Sequence, residues 1–144
     1  MANYPLPKFH FNVQWGGTNI GFSEVSGLDI SNEVIEYRDG ASPEYSTLKM
    51  PGQRKYSNLV LKRGVFASDN DFYNWFNTIS MNTVERRDII ISLLDEQLNP
   101  VVVWKIINAW PTKIISPDLK ADGNDVAIET LVLAHEGLTI QNGD

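Results

Sequence analysis

The 144-residue sequence contains no cysteine and only two histidines, His10 and His135. Without cysteine there are no disulfides, no thiolate nucleophile and no cysteine-ligated metal. Two histidines also provide few ligands for a zinc or iron site. We therefore expect neither a metal centre nor a bound cofactor.

Positive charge is also scarce, since 12 Lys and Arg residues stand against 18 Asp and Glu residues. The formal net charge is −6 and the pI is about 4.8. Proteins that bind nucleic acid place clusters of Lys and Arg against the phosphates. The composition therefore argues against specific nucleic-acid binding.

The sequence has no apolar run near the ~20 residues that span a membrane. Its start, MANYPLPKFHFNV, lacks the basic segment and apolar stretch of a secretory signal. We expect synthesis in the cytoplasm without a signal peptide, and no membrane insertion by the single chain. Any action outside the cell would then need a route other than general secretion.

Motifs for catalysis are missing as well. The sequence has no GxxxxGK[ST] loop and no GxGxxG after a strand. A Ser-His-Asp site would have to use His10 or His135, both of which lie in alternating segments where a structural histidine is far commoner. The segment DLKADGND, residues 118–125, is similar to a calcium loop, but Lys120 stands where an EF-hand requires Asp or Asn. We expect no enzymatic activity.

Apolar and aromatic residues are plentiful. They make up 42% of the chain, with four Trp, five Tyr and six Phe. A chain of this length is predicted to form one domain, residues 1–144, that buries roughly 68–70% of its unfolded surface. The tryptophans are predicted to lie in the core. A carbohydrate-binding platform would require at least two of them to be exposed on one face.

Alternation with a period of two dominates the chain and predicts β-strands. Gly16-Gly17 predicts a hairpin turn between the first two strands, and Pro111 predicts an interruption late in the chain. Residues 116–125 are predicted to be a loop and residues 141–144 a frayed tail. The predicted strands cover residues 9–15, 18–25, 28–38, 56–65, 87–94, 101–110, 112–115 and 126–140.

One segment has helical periodicity instead. Ser68 is predicted to be the N-cap, with Asp71 three residues on. A single apolar stripe follows at i, i+3, i+4 and i+7, formed by Phe72, Trp75, Phe76 and Ile79. The pattern predicts a mainly antiparallel barrel or sandwich with one flanking helix.

Residues 40–53, GASPEYSTLKMPGQ, form the most informative segment. Its Pro and Gly residues predict a long loop, and loops of more than about 12–15 residues are usually functional or disordered. Disordered segments are poor in apolar residues, whereas this one contains Tyr45, Leu48 and Met50. We interpret these side chains as a surface that binds another copy of the protein.

Two predicted strands lack the charges and prolines that protect a sheet edge. They are residues 101–107, with one lysine, and residues 126–133, with one glutamate. Either both are central strands, or a neighbouring subunit covers them. A heterologous interface of the second kind can close into a ring, and stacked rings make a tube.

Several segments carry a resemblance that extends over nearly the whole chain. They are FSEVSGLDISNEVIEYRDG (22–40), KMPGQRKY (49–56), LKRGVF (61–66), the helix with Trp75, NAWPTKI (108–114) and VAIETLVLAHEGL (126–138). On these segments the chain resembles the inner tube proteins of contractile injection systems. Within that family it is most similar to the tubes of extracellular particles such as antifeeding prophages and Photorhabdus virulence cassettes.

The resemblance implies a tail-tube fold, a barrel-like pair of antiparallel sheets with one flanking helix and a long extended loop. It implies hexameric rings that stack into a rigid hollow tube with possible cargo in the lumen. The expected partners are a surrounding sheath, the baseplate or spike, and a tube cap. Sheath contraction would drive the tube through a target envelope. The particle would be extracellular after release, or membrane-anchored.

The extended loop of the family is expected to contact the adjacent ring or subunit. By position, the implied contact residues are Glu44, Tyr45, Leu48, Lys49, Met50, Pro51, Gln53 and Arg54. The alternative function is a monomeric β-barrel binding module, for example for carbohydrate.

Overall fold

The computed structural model describes residues 10–16, 21–38, 40–41, 48–123 and 125–143. Within them the chain is mainly β, with nine strands and one short helix. The elements are β1 (Phe11–Gln14), β2 (Glu24–Ser26), β3 (Ile30–Tyr37), β4 (Leu48–Tyr56), β5 (Leu59–Gly64), α1 (Asp71–Phe76), β6 (Arg87–Leu94), β7 (Pro100–Ile115), β8 (Ile128–Ala134) and β9 (Gly137–Asn142).

The strands form two antiparallel layers that share β7. In the first layer the order is β1-β6-β7-β9, and it uses the first half of β7. In the second layer the order is β7-β8-β5-β2, and it uses the second half of β7. Among the described residues, strands β3 and β4 pair only with each other, as a separate hairpin. The predicted barrel-like pair of antiparallel sheets with one helix is confirmed.

Strand β7 changes layers at Asn108. The backbone of Asn108 has a φ of 54°, a left-handed conformation that asparagine tolerates better than most residues. The Asn108 N–H donates to Asp88 Oδ1 at 3.1 Å, which supports the bend from the neighbouring strand. The predicted interruption at Pro111 is only partly wrong. Strand β7 continues through Pro111, which pairs with Leu133, but the register shifts between Pro111 and Lys113. Among the described residues this half of β7 pairs on one side only, where a proline is tolerated.

Three other sequence predictions about the strands are wrong. The hairpin predicted at Gly16-Gly17 does not join paired strands, because β1 pairs with β6 and β2 with β5. Residues 17–20 lie outside the described residues. The single strand predicted over 126–140 is two strands, β8 and β9, which lie in different layers. Gln141 and Asn142, predicted to fray, belong to β9.

The two strands without protective charges are central. Residues 102–106 pair with both β6 and β9, and β8 pairs with both β5 and β7. Edge-to-edge pairing of these two strands with a neighbouring subunit is therefore excluded, whereas coverage of their faces by a neighbour stays a prediction.

The core lies between the layers and under α1. Trp15 is 1% exposed and its ring meets the Phe72 ring edge-on at 5.2 Å. Trp75 is fully buried and donates its Nε1–H to the Glu85 carbonyl at 2.7 Å. Trp104 and Trp110 are half-buried. Since none of the four tryptophans is exposed, the platform required for the carbohydrate alternative is absent.

The helix is shorter than its apolar stripe. It begins at Asp71, after Asn70, and ends at Phe76, so Ile79 lies beyond it. Ser68 is not the N-cap, because it has a φ of 69° and lies before the first turn. Asp69 instead accepts a hydrogen bond from the Asp71 N–H at 3.2 Å. No helix among the described residues is long and apolar enough to cross a membrane.

A buried arginine joins the helix to the second layer. Arg63 of β5 is 1% exposed. Its Nε donates to Glu129 Oε1 at 2.7 Å, and its Nη2 donates to Asp69 Oδ1 at 3.1 Å. Its guanidinium carbon lies 4.0 Å from the centre of the Phe72 ring. Because these contacts come from β8, the segment before α1 and α1 itself, Arg63 fixes three elements at one end of the core.

The Arg63→Met variant should lose about 3–5 kcal/mol of unfolding free energy, because two carboxylates would remain near the core without their cation. The control is Lys62→Met on the same strand. Lys62 forms an exposed pair with Glu24 at 3.5 Å, and such pairs contribute about 1 kcal/mol or less. Urea unfolding of the unassembled subunit measures both. Equal losses in the two variants would contradict the role of Arg63.

Candidate assembly interface

The hairpin of β3 and β4 lies outside the two layers. All eight residues of β3 are exposed, and in β4 only Gly52 and Tyr56 are half-buried. A two-stranded hairpin alone is marginally stable in water, and this one exposes several large apolar side chains. It is therefore the part of the described structure that most needs a partner.

The loop predicted over residues 40–53 is wrong in its second half. Residues 48–53 belong to β4, so the loop between the strands is shorter than predicted. Pro51 and Gly52, which indicated a loop, instead mark a shift in register between the pairs Asn32–Arg54 and Val34–Pro51. Gly52 fits this bulge because a Cβ there would lie 3.0 Å from the Glu33 carbonyl oxygen.

The register places four apolar side chains on one face near the end of the hairpin. Ile35 lies directly opposite Met50, and Tyr37 lies directly opposite Leu48. Alternate residues of a strand share a face, so both pairs lie on the same side. We call Ile35, Tyr37, Leu48 and Met50 the tip face. Their exposed fractions are 50%, 55%, 67% and 47%.

The opposite face of the hairpin is more polar. Glu36 lies opposite Lys49, and Asn32 lies opposite Arg54. Val34, opposite Pro51, is its exposed apolar residue near the tip. The two faces thus differ in chemistry, and only the tip face presents a continuous apolar surface.

The contact residues expected from the sequence divide between these faces. Leu48 and Met50 lie on the tip face, whereas Lys49, Pro51 and Arg54 lie on the opposite face and Gln53 lies at the bulge. Glu44 and Tyr45 lie outside the described residues. Sequence reasoning missed Ile35 and Tyr37, although the alternation of residues 30–37 contained the signal.

Burial of the tip face would contribute substantially to association. Complete burial of one large apolar side chain contributes about 1.5–3 kcal/mol. Since each of the four is about half-exposed, covering them would contribute roughly 3–6 kcal/mol before the cost of association.

Sheet edges add a second kind of unsatisfied surface. Among the described residues, β1 and β9 are the two edges of the first layer, and each pairs on one side only. Their sequences, FNVQ and GLTIQN, contain no charged residue and no proline. Edge strands of monomers normally carry such protection. Exposed apolar side chains and unprotected edges of this kind are typical of a structural subunit that associates with other chains.

Residues 7–139 match the family model described as T4-like virus tail tube protein gp19, and the chain belongs to this family. The match confirms the resemblance found in the sequence. No curated protein sequence is significantly similar to the chain.

Solved structures agree with the family. A chain from the anti-feeding prophage cap, the tube-terminating cap, is 40% identical, with coverage of 99% of this chain and 95% of that one and a TM-score of 0.90. A chain from the extended sheath–tube complex of PVC, an extracellular contractile injection system, is 39% identical, with coverage of 97% and 93% and a TM-score of 0.89. Hcp1 from Flavobacterium johnsoniae shares the fold alone, at 13% identity, coverage of 92% and 95% and a TM-score of 0.56. The protein is a structural tube subunit of a contractile injection system.

The tip face can be tested by the double variant Leu48→Gln, Met50→Gln. We expect polymerisation to require at least tenfold more protein, because a loss of 1.4 kcal/mol per contact already changes an equilibrium tenfold. Pelleting of assembled material over a concentration series measures this.

The matched control makes the same two changes elsewhere. Met81 and Leu119 are 99% and 90% exposed and lie outside the hairpin, so Leu119→Gln, Met81→Gln should polymerise like the parent. Both double variants should keep their unfolding free energy within about 1 kcal/mol, as surface changes usually do. Equal polymerisation of the two would show that the tip face is not an interface.

Proposed function

We propose that the protein forms hexameric rings that stack into a rigid hollow tube, with residues 1–144 acting as a single tail-tube domain. A contractile sheath surrounds this tube, a cap and a baseplate with its spike close its ends, and sheath contraction drives it through a target envelope. The similar chains come from sheath–tube, cap and baseplate structures of such particles, which supports these partners. The tube acts through its geometry and not through catalysis.

The observation that carries the proposal is the tip face. It holds four partly exposed apolar side chains on a hairpin that is separate from both layers. In β3 the tip-face residues Ile35 and Tyr37 follow Ile30 by five and seven residues. Since a strand rises about 3.3 Å per residue, they lie roughly 17–23 Å from Ile30 at the base of the hairpin. This reach suits a contact with another ring better than a contact within the same subunit.

Ring closure uses different elements. The edges β1 and β9 lie on opposite sides of the first layer. When β9 of one subunit approaches β1 of the next, each interface is heterologous, and such interfaces close into rings when the rotation per subunit permits. Closure would satisfy the backbone groups of both edges that have no partner in the part of the chain that the structure describes.

The negative net charge of the subunit suits a tube through which cargo passes. A formal charge of −6 per subunit disfavours adhesion of nucleic acid and other polyanions to the tube. Cargo could therefore move along the lumen without being held by nonspecific attraction. The assembled particle acts outside the cell that makes it or from an anchoring membrane.

Shortening the hairpin tests the division between ring closure and stacking. Replacing residues 37–48 by Asn-Gly joins Glu36 to Lys49, which are paired neighbours, through a turn typical of two-residue hairpins. We expect this variant to fold and to form rings but no long tubes, because the edges β1 and β9 remain while half of the tip face is lost. Electron microscopy and sedimentation velocity distinguish these species.

Two outcomes would contradict the proposal in different ways. Tubes of normal length would exclude the hairpin from stacking. Subunits that stay monomeric would show that the hairpin closes the ring itself. The parent protein, assembled under the same conditions, is the reference for both.

A further inference from the structure

The hairpin is joined to the layers by two short links. Residues 27–29 connect β2 to β3, and residues 57–58 connect β4 to β5. We call these two links the stem. Because the hairpin is separate from both layers, the stem determines the direction in which the tip face points.

The two links of the stem touch at Gly27. Its φ is 89°, and a Cβ at this position would lie 2.0 Å from the Asn58 carbonyl oxygen and 3.2 Å from the Leu59 Cα. Only glycine permits both this conformation and this approach of the two backbones. The same link carries Leu28, which packs against the core and holds the stem to the layers. Neither this packing nor the Gly27 contact is a directional bond, since apolar packing is non-directional.

A side chain from the layers reaches the stem from the other side. His135 lies between β8 and β9, and its Nε2 is 3.0 Å from the Ser57 carbonyl oxygen. A carbonyl can only accept, so Nε2 carries the proton and donates. The His135 ring also packs against the Tyr56 ring, with 5.5 Å between centroids. Among the described residues this is the only side-chain hydrogen bond between the stem and the layers.

The position from which His135 extends is itself well supported. The adjacent Glu136 donates its N–H to the Ile107 carbonyl at 3.0 Å. Its carboxylate accepts from Asn108 Nδ2 at 3.0 Å and lies 3.7 Å from Arg86 Nε. The corner of β8 and β9 is thus tied to the bend of β7, so His135 extends from a fixed part of the fold to the stem.

We propose that His135 is a positioning residue that fixes the direction of the hairpin and thereby aligns the tip face for stacking. This inference rests on the proposed function of the hairpin. His135 adds a directional hydrogen bond to a stem that is otherwise held by the Gly27 contact and by the packing of Leu28 against the core. The contact with the Tyr56 ring restricts the imidazole that makes this bond. Without the bond the hairpin keeps its own pairing but samples a wider range of directions, so fewer subunits present the tip face correctly at any moment.

The test uses three substitutions with different donors. Glutamine at position 135 places an amide N–H near the site of Nε2, asparagine places it near the site of Nδ1, and alanine has no donor. We expect His135→Ala and His135→Asn to form rings but at least tenfold fewer tubes by electron microscopy at equal protein concentration. His135→Gln should restore tubes to within about threefold of the parent.

The distance between a label on the hairpin and a label on the body shows whether His135 fixes the direction of the hairpin or only stabilises the fold. The sequence has no cysteine, so spin labels can be placed at Val34→Cys in β3, outside the tip face, and at Met81→Cys on the body. In unassembled subunits the distribution of distances between the labels should broaden with His135→Ala and stay narrow with His135→Gln. Comparing His135→Asn with His135→Gln keeps the test valid if the alanine variant does not fold.

The proposal is overturned if His135→Ala forms parental numbers of tubes, or if its label distances do not broaden. It is also overturned if His135→Gln is as defective as His135→Ala, or if ring formation falls in step with tube formation. Failure of the proposed function looks different, because then the parent protein itself would form no tubes.

Discussion

One strand shared by two layers organises this protein. The first half of β7 belongs to one layer and the second half to the other, so the layers cannot separate without breaking β7. The bend at Asn108 makes this possible, because the pairing changes from β6 and β9 to β8. The same crossing leaves β1 and β9 as edges, and it supports the corner from which His135 reaches the hairpin. The core, the two edges and the base of the hairpin therefore all depend on the bend of β7 at Asn108.

The sequence predicted an element correctly where the period of its apolar residues matches the face that is buried in the structure. Strand β6 and the buried pair Phe72 and Trp75 follow the expected patterns because each has one face in the core. Periodicity failed where pairing partners change. Residues 126–140 are mostly apolar and contain no proline, yet they form two strands with a corner at His135 and Glu136, just before Gly137. Only the other strands determine such a corner.

Part of the candidate interface could be predicted from local composition, and the rest depends on strand pairing. Leu48 and Met50 stood out because they are apolar within a segment rich in Pro and Gly, but that composition also hid the strand. Their grouping with Ile35 and Tyr37 depends on cross-strand register, and the bulge at Gly52 changes that register by one residue. Local composition could indicate an exposed apolar segment, whereas the shape of the surface required the pairing.

The hairpin contributes little to the core, since its residues are almost all exposed while the core lies between the layers. The residues that expose apolar surface on the hairpin are therefore different from the residues that stabilise the fold. In the proposed tube, substitutions in the outer hairpin would change which subunits fit together without destabilising the layers that carry the hairpin. Related particles coexisting in one host could diverge there first and so keep their building blocks from mixing.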